Sequence, residues 1–194
     1  LDGTTLDLRF RVPGGGGSFR LNVDGEYVSL AATTLTTTGQ AWVPVTFATR
    51  VPRIITLELY NLPFGGVTVG PTDTVWKTQA PGFRTLELGD SYTGGTGTTS
   101  YLTGHSRTLA DLMGWRDHIE SGVGGTGYLN PGSGGNVKAR DRVQNDVIDL
   151  APDLVVVALG HNDYPGYTVA EIEAEARLLF GAIRKIGRAS CRER

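Results

Sequence analysis

Cysteine is almost missing from this 194-residue chain: the single one, Cys191, lies within its last nine residues, Ile186 to Arg194. One thiol cannot build a disulfide framework, so the fold must rest on its core. Long apolar runs are missing too. The longest, Leu154 to Leu159, is the length of a strand and far short of the roughly 20 residues that cross a bilayer. Neither sign of charge dominates, with 18 basic against 20 acidic side chains. No basic patch alternates with aromatics, which excludes a nucleic-acid surface. Histidine is scarce at three residues, and no Cys/His spacing suggests a metal; no cofactor motif appears. Glycine is plentiful at 28, but its clusters have no fixed period, which excludes collagen-like and solenoid chains.

What is present changes character near residue 84. Residues 1–80 read as a small all-β domain, a sandwich or jelly roll. "TLDLRFRV" and "SFRLNVDG" alternate apolar and polar residues as half-buried strands do. "DGEYVSL" carries an Asp-Gly turn, and "AWVPVTFAT" and "RIITLELYNL" continue in β-branched and aromatic residues. "PTDTVWKTQAPGF", residues 71–83, reads as the connector.

From residue 84 to 185, strand and helix signals alternate, which predicts a parallel sheet flanked by helices. "RTLELGDS" is a strand entering a turn. A helix follows, with Leu102, Leu109, Leu112 and Met113 at helical spacing and Gly114 as its stop; His105 reads as part of its cap. "RDHIES" is a short strand carrying His118. "VKARDRVQNDVIDL" is an amphipathic helix ending before Pro152. "DLVVVAL" has the continuous apolar character of a central strand buried on both faces. A last helix begins at Thr168, with Glu171 completing a capping box.

Ligands on parallel sheets bind beyond the carboxyl ends of the strands, and three polar segments fall there. The first is Gly89-Asp90-Ser91. The second is Gly122 to Gly127, which formally matches G-x-G-x-x-G, yet "YLNPGSGG" follows where a dinucleotide site needs a helix. The third is Gly160 to Asp163. Singly, each is ordinary turn composition, in which Asn162 or Asp163 caps a loop. No serine has glycine at both −2 and +2, so the nucleophile elbow is absent.

Together the segments resemble the blocks of the SGNH (GDSL-type) hydrolase superfamily. The first block is Gly89, Asp90 and Ser91; the second is Gly124, Gly125 and Thr126; the third is Gly160, His161, Asn162 and Asp163. The resemblance covers residues 84–185. It implies a parallel sheet flanked by helices and an acyl-ester hydrolase: an esterase, lipase, thioesterase or carbohydrate deacetylase. It implies Ser91 as nucleophile, with an oxyanion hole from the Ser91 and Gly124 backbone N–H groups and the Asn162 side chain. Asp90 is read as structural, and His161 fills the variable position of its block. No cofactor is implied; the partner is a small-molecule or polysaccharide acyl ester, with neither nucleic acid nor membrane involved.

The family's fourth block, Asp-x-x-His, has no counterpart. His105, His118 and His161 all lie outside such a pattern. "IGRASCRER", residues 186–194, fits the translation of a common sequencing adapter codon by codon. Without its three arginines and one glutamate the formal charge moves from −2 to −4. The expectation is a C-terminally incomplete SGNH domain that is inactive as a fragment. The chain begins at Leu1 without methionine, which accords with a removed leader and a secreted, extracellular protein. A β domain ahead of an SGNH domain is similar to certain carbohydrate esterases. The alternatives are a glycan-binding surface or phage tail-type module, in which Trp42 and Trp76 would stack on sugars although aromatics of this kind are expected first in the core, and a nonspecific lipase or thioesterase.

Overall fold

A computed structural model describes residues 1–78 and 82–185. The segment read as adapter sequence, with Cys191, lies outside the described residues, as do residues 79–81 of the connector. Two compact units result, Leu1–Gln79 and Ala80–Arg194.

In the first unit, strand β1 (Asp2–Val12) obeys its sequence alternation: Leu6, Leu8, Phe10 and Val12 are buried while Asp7, Arg9 and Arg11 are exposed. It sits between β5 (Gly39–Pro52) and β7 (Phe64–Val69), both antiparallel to it. A second sheet centres on β2 (Gly17–Val23). That strand pairs with β6 (Ile55–Tyr60) on one edge, and with β3 (Glu26–Tyr27) and β4 (Thr33–Leu35) on the other. The core joins the sheets, with the Phe10 and Phe19 rings stacked 5.3 Å apart.

Here β2 departs from the half-buried expectation, because Gly17–Asn22 is buried throughout. Its polar members survive burial by pairing. Arg20 Nε donates to Glu58 Oε2 at 2.8 Å, and the Tyr27 hydroxyl donates to Glu58 Oε1 at 2.6 Å. The segment read as connector belongs partly to this unit: Asp73 Oδ2 accepts the Thr4 and Thr5 N–H groups, each at 3.1 Å. Those bonds, the Thr5 N–H foremost, hold the Asp73 carboxyl below its usual range against the opposing effect of burial.

In the second unit, β8 (Arg84–Gly89) lies between β9 (Asp117–Gly122) and β10 (Leu154–Ala158), all parallel. Leu86 and Leu88 point to one face, where they meet Val143 of α2 (Ala139–Val143), Val147 just beyond it and Leu179 of α3 (Val169–Ile183). After α2 the chain widens into one π turn, Gln144–Ile148. The opposite face carries Thr85 and Glu87 and meets α1 (His105–Met113) through Ser106. The mixed α/β expectation therefore holds, with a parallel sheet flanked by helices and a separate all-β portion.

Two local readings change. The run "DLVVVAL" forms β10, but at an edge of the three-stranded sheet, so Val155–Ala158 are half-buried and not sealed on both faces. Apolar composition marks a capacity for burial; the number of paired edges is settled by topology. Helix α1 stops at Gly114, whose φ of 69° suits glycine, but Leu112 and Met113 are exposed. It buries Ser106 and Ala110 because the facing sheet surface is polar.

Candidate active site

Parallel register brings Gly89 of β8 opposite Gly122 of β9, and Ala158 of β10 opposite Gly89. All three polar segments therefore leave one end of the sheet. The turns behind those strands approach too closely for side chains. A Cβ on Gly89 would lie 1.9 Å from Thr93 Oγ1, and one on Gly122 would lie 2.2 Å from the Gly94 nitrogen. Glycine at these positions is a condition of the two turns meeting.

Ser91, half-buried, follows β8 by two residues. Gly124 follows β9 by two, and a Cβ added there would lie 3.8 Å from Ser91 Cβ, with no other group within 4 Å. The two are neighbours across the crevice. Among the described residues the Ser91 hydroxyl makes no hydrogen bond, and the backbone N–H groups of Ser91 and Gly124 have no acceptor. Gly124 is exposed and Ser91 half-buried, so these groups face the open crevice at the end of the sheet.

Asn162 lies in the helical turn His161–Asp163 after β10. Its Nδ2 donates to Asp90 Oδ2 at 3.1 Å and to the Thr126 carbonyl at 2.9 Å. One amide thereby ties together the first, second and third segments. Asp90 is buried and also accepts the Tyr92 N–H at 2.9 Å, which shapes the serine turn. Asp163 is fully buried: its carboxylate accepts the Tyr128, Leu129 and Asn130 N–H groups at 2.8, 2.9 and 2.9 Å. It also explains Gly127, since a Cβ there would meet Asp163 Oδ1 at 2.4 Å.

The histidines are spread over separate surroundings. His118 is held at both ring nitrogens, Nδ1 by Thr85 Oγ1 at 2.8 Å and Nε2 by Ser106 Oγ at 2.9 Å. Burial, with Arg107 adding to it, holds its pKa below the ordinary value. His105 does not cap α1, whose N-cap is Gly104 without a side-chain bond. It bonds the buried Glu87 at 2.7 Å, and Thr93 Oγ1 donates to the same carboxylate oxygen at 2.7 Å. His161 is exposed and meets the Tyr92 ring edge-on at 5.4 Å.

Sequence reasoning misses Arg142 and Glu87. Arg142 occupies an ordinary polar position of an amphipathic helix pattern, yet it is buried and donates from Nη2 to the Gly89 carbonyl at 2.6 Å. Glu87 stands between two leucines in a strand, where alternation marks a face but not what covers it. No short-range signal identifies either.

Residues 88–191 match the family described as GDSL-like lipase/acylhydrolase, over half of the chain. No curated protein matches the sequence. Solved structures share its fold at low identity. One is a family two carbohydrate esterase from Clostridium thermocellum in complex with cellohexaose (19% identity, TM-score 0.71, 95% of this chain, 65% of that one). A second is a carbohydrate esterase family 2 enzyme with a carbohydrate binding domain from Corynascus thermopiles (20%, 0.70, 95% and 66%). A third is a salicylyl-acyltransferase from a tetracycline biosynthetic pathway (19%, 0.71, 96% and 54%). The chain thus spans less than two thirds of the length of each.

Proposed function

The chain belongs to the GDSL-like lipase/acylhydrolase family, and from that premise we propose that it is the Ser91-bearing part of an acyl-ester hydrolase. The observation that carries this reading is the position of the Ser91 hydroxyl beside Gly124 at the end of the parallel sheet, where among the described residues neither it nor the Ser91 and Gly124 N–H groups is hydrogen-bonded.

In the reaction, Ser91 Oγ attacks the ester carbonyl carbon and loses its proton to a base. The carbonyl oxygen becomes an oxyanion held by the Ser91 and Gly124 N–H groups. Asn162 joins as a third donor when its side chain rotates as a unit and brings Nδ2 from the Asp90 carboxylate and the Thr126 carbonyl toward the oxyanion. Each such donor is worth about 3 kcal/mol to the transition state. Collapse expels the alcohol, which takes up a proton, and water then releases the acyl group from Ser91.

The base is the weak point. Among the described residues no histidine is bonded to Ser91: His118 is engaged at both nitrogens, His105 is oriented by Glu87 without reaching the Ser91 hydroxyl through a hydrogen bond, and His161 has no carboxylate partner. The 194-residue chain is therefore expected to be slow, retaining the binding and oxyanion contributions without an imidazole bonded to the Ser91 hydroxyl. The likeness to carbohydrate esterases, one of them holding cellohexaose, supports acetylated polysaccharide as the substrate class.

The test is p-nitrophenyl acetate hydrolysis by the chain and by Ser91→Ala, with and without added imidazole as an external base. The expected result is a small Ser91-dependent rate that imidazole raises beyond its own solution reaction. Equal rates for the chain and Ser91→Ala under both conditions overturn the assignment. A second reading, glycan binding by the β unit, is favoured by Trp42 and Trp76, each 51% exposed. Oligosaccharide binding that survives Ser91→Ala and is lost in Trp42→Ala and Trp76→Ala would establish it.

A further inference from the structure

Arg142 takes no part in the chemistry just described, yet it is a buried cation at the end of the sheet from which that chemistry springs. Its Nη2 donates to the Gly89 carbonyl at 2.6 Å. Its Nη1 donates to the Ser121 carbonyl at 3.2 Å, to Ser121 Oγ at 2.9 Å and to Asp146 Oδ2 at 2.6 Å. Ser121 Oγ in turn donates to Asp146 Oδ2 at 2.9 Å, so the charge is matched within the same cluster. Gly89 ends β8 two residues before Ser91; Ser121 is the penultimate residue of β9, three before Gly124. One guanidinium therefore grips both strands where the two active-site segments begin. The Gly89 carbonyl also accepts the Val123 N–H at 3.2 Å, the last bond before the strands part.

We propose that Arg142 is a positioning residue that sets the spacing of Ser91 and Gly124, and hence of the two backbone donors facing the oxyanion. The inference rests on the hydrolase reading above. Its physical basis is the planar fork of arginine, which donates in two directions at fixed separation; a lysine ammonium is a single point that cannot hold both strands. The arrangement is costly, because Arg142 Nε is buried without a partner. An apolar side chain of similar volume fills such a site at lower cost, but it cannot bond two carbonyl-bearing strand ends.

The test uses the whole 194-residue chain and residue-resolved amide hydrogen exchange in Arg142→Met, Arg142→Lys and Ser121→Ala. Arg142→Met should speed Val123 exchange at least tenfold while Leu179 in α3 changes less than twofold, with Arg142→Lys and Ser121→Ala in between. Parallel assays with imidazole should find the Ser91-dependent kcat of Arg142→Met down about tenfold at unchanged KM, with partial recovery in Arg142→Lys. Unchanged Val123 exchange, uniform acceleration across the unit, or an unaltered kcat overturns the proposal. Should Arg142→Met not fold, Ser121→Ala decides: Val123 exchange within twofold of the parent chain refutes the clamp. If Ser91→Ala keeps full turnover, the hydrolase reading falls, and the exchange data still judge the clamp by themselves.

Discussion

Asp163→Asn changes one atom at the centre of the loop that follows Gly124, and its effect can be worked from three distances. The carboxylate accepts the Leu129 and Asn130 N–H groups through Oδ1 and the Tyr128 N–H through Oδ2, at 2.9, 2.9 and 2.8 Å. An asparagine can keep its oxygen toward the first two, but its NH2 then faces the Tyr128 N–H, donor against donor. A charge-assisted bond is lost, a donor is stranded where Asp163 is 0% exposed, and the two remaining bonds become neutral. A hydrogen bond to a charged group contributes about 1.5–3 kcal/mol and a stranded donor costs about 1–3 kcal/mol, overlapping quantities that together suggest about 3 kcal/mol. For a unit of this size that is a fall in Tm on the order of 10–20 °C. Amide spectra recorded through a thermal melt follow the second unit separately from the first. A shift of the second unit below about 4 °C, equivalent to less than about 1 kcal/mol, refutes the reasoning. A double-mutant cycle sharpens it. Gly127→Ala should be severe in the parent chain, where the added methyl would lie 2.4 Å from Asp163 Oδ1, and milder in an Asp163→Ala background. Additive effects would mean that the carboxylate is not what excludes a side chain at residue 127.

Three further outcomes follow from the same physics. Burial, with Arg107 adding to it, lowers the His118 pKa from its ordinary 6.5, so the unfolded chain takes up the proton first; stability is full above that value and falls as pH drops below it. Melting curves at about pH 7.5 and about pH 5.5 should therefore differ more for the parent chain than for His118→Gln. Glu58→Ala removes the carboxylate paired with the buried Arg20 guanidinium, which keeps its Tyr27 contact, and should cost the first unit about 3 kcal/mol, read as a lower urea midpoint at an unchanged slope. Thr168→Ala removes the half of the α3 capping box in which Thr168 Oγ1 accepts the Glu171 N–H, while the backbone N–H of residue 168 can still donate to Glu171; a loss of about 1 kcal/mol is expected in the same denaturation assay.

Local, period-governed features are legible in the order of the residues. The capping box at Thr168 and Glu171 needs only residues three apart. The alternation of β1 and the Gly114 stop of α1 are likewise written in adjacent positions. Ser91, Gly124 and Asn162 can be named from turn chemistry at strand ends together with family resemblance. What stays hidden depends on residues distant in the chain. Arg142 reads as a solvated helix position until it meets a carbonyl 53 residues away. Arg20 in β2 reads as an outward residue until Glu58, 38 residues on, neutralises it. His105 looks like a cap because its partner, Glu87, belongs to another element.

Sequence alone determined most of the strands and helices, though not β4, β7 or the π turn after α2, and which three turns carry polar groups beyond the sheet. Backbone propensity and side-chain period act over a few residues, so those choices need no partner. Only the tertiary structure decided which side chains are spent and which are free. It engages His105 and His118 in bonds across the polar face of the sheet, puts β10 at an edge, and spends Asn162 on Asp90 and Thr126. Among the described residues it leaves the Ser91 hydroxyl without a hydrogen bond beside Gly124. A hydrogen bond requires two groups at one place, and residues far apart in sequence meet only when the sheet brings their strand ends together.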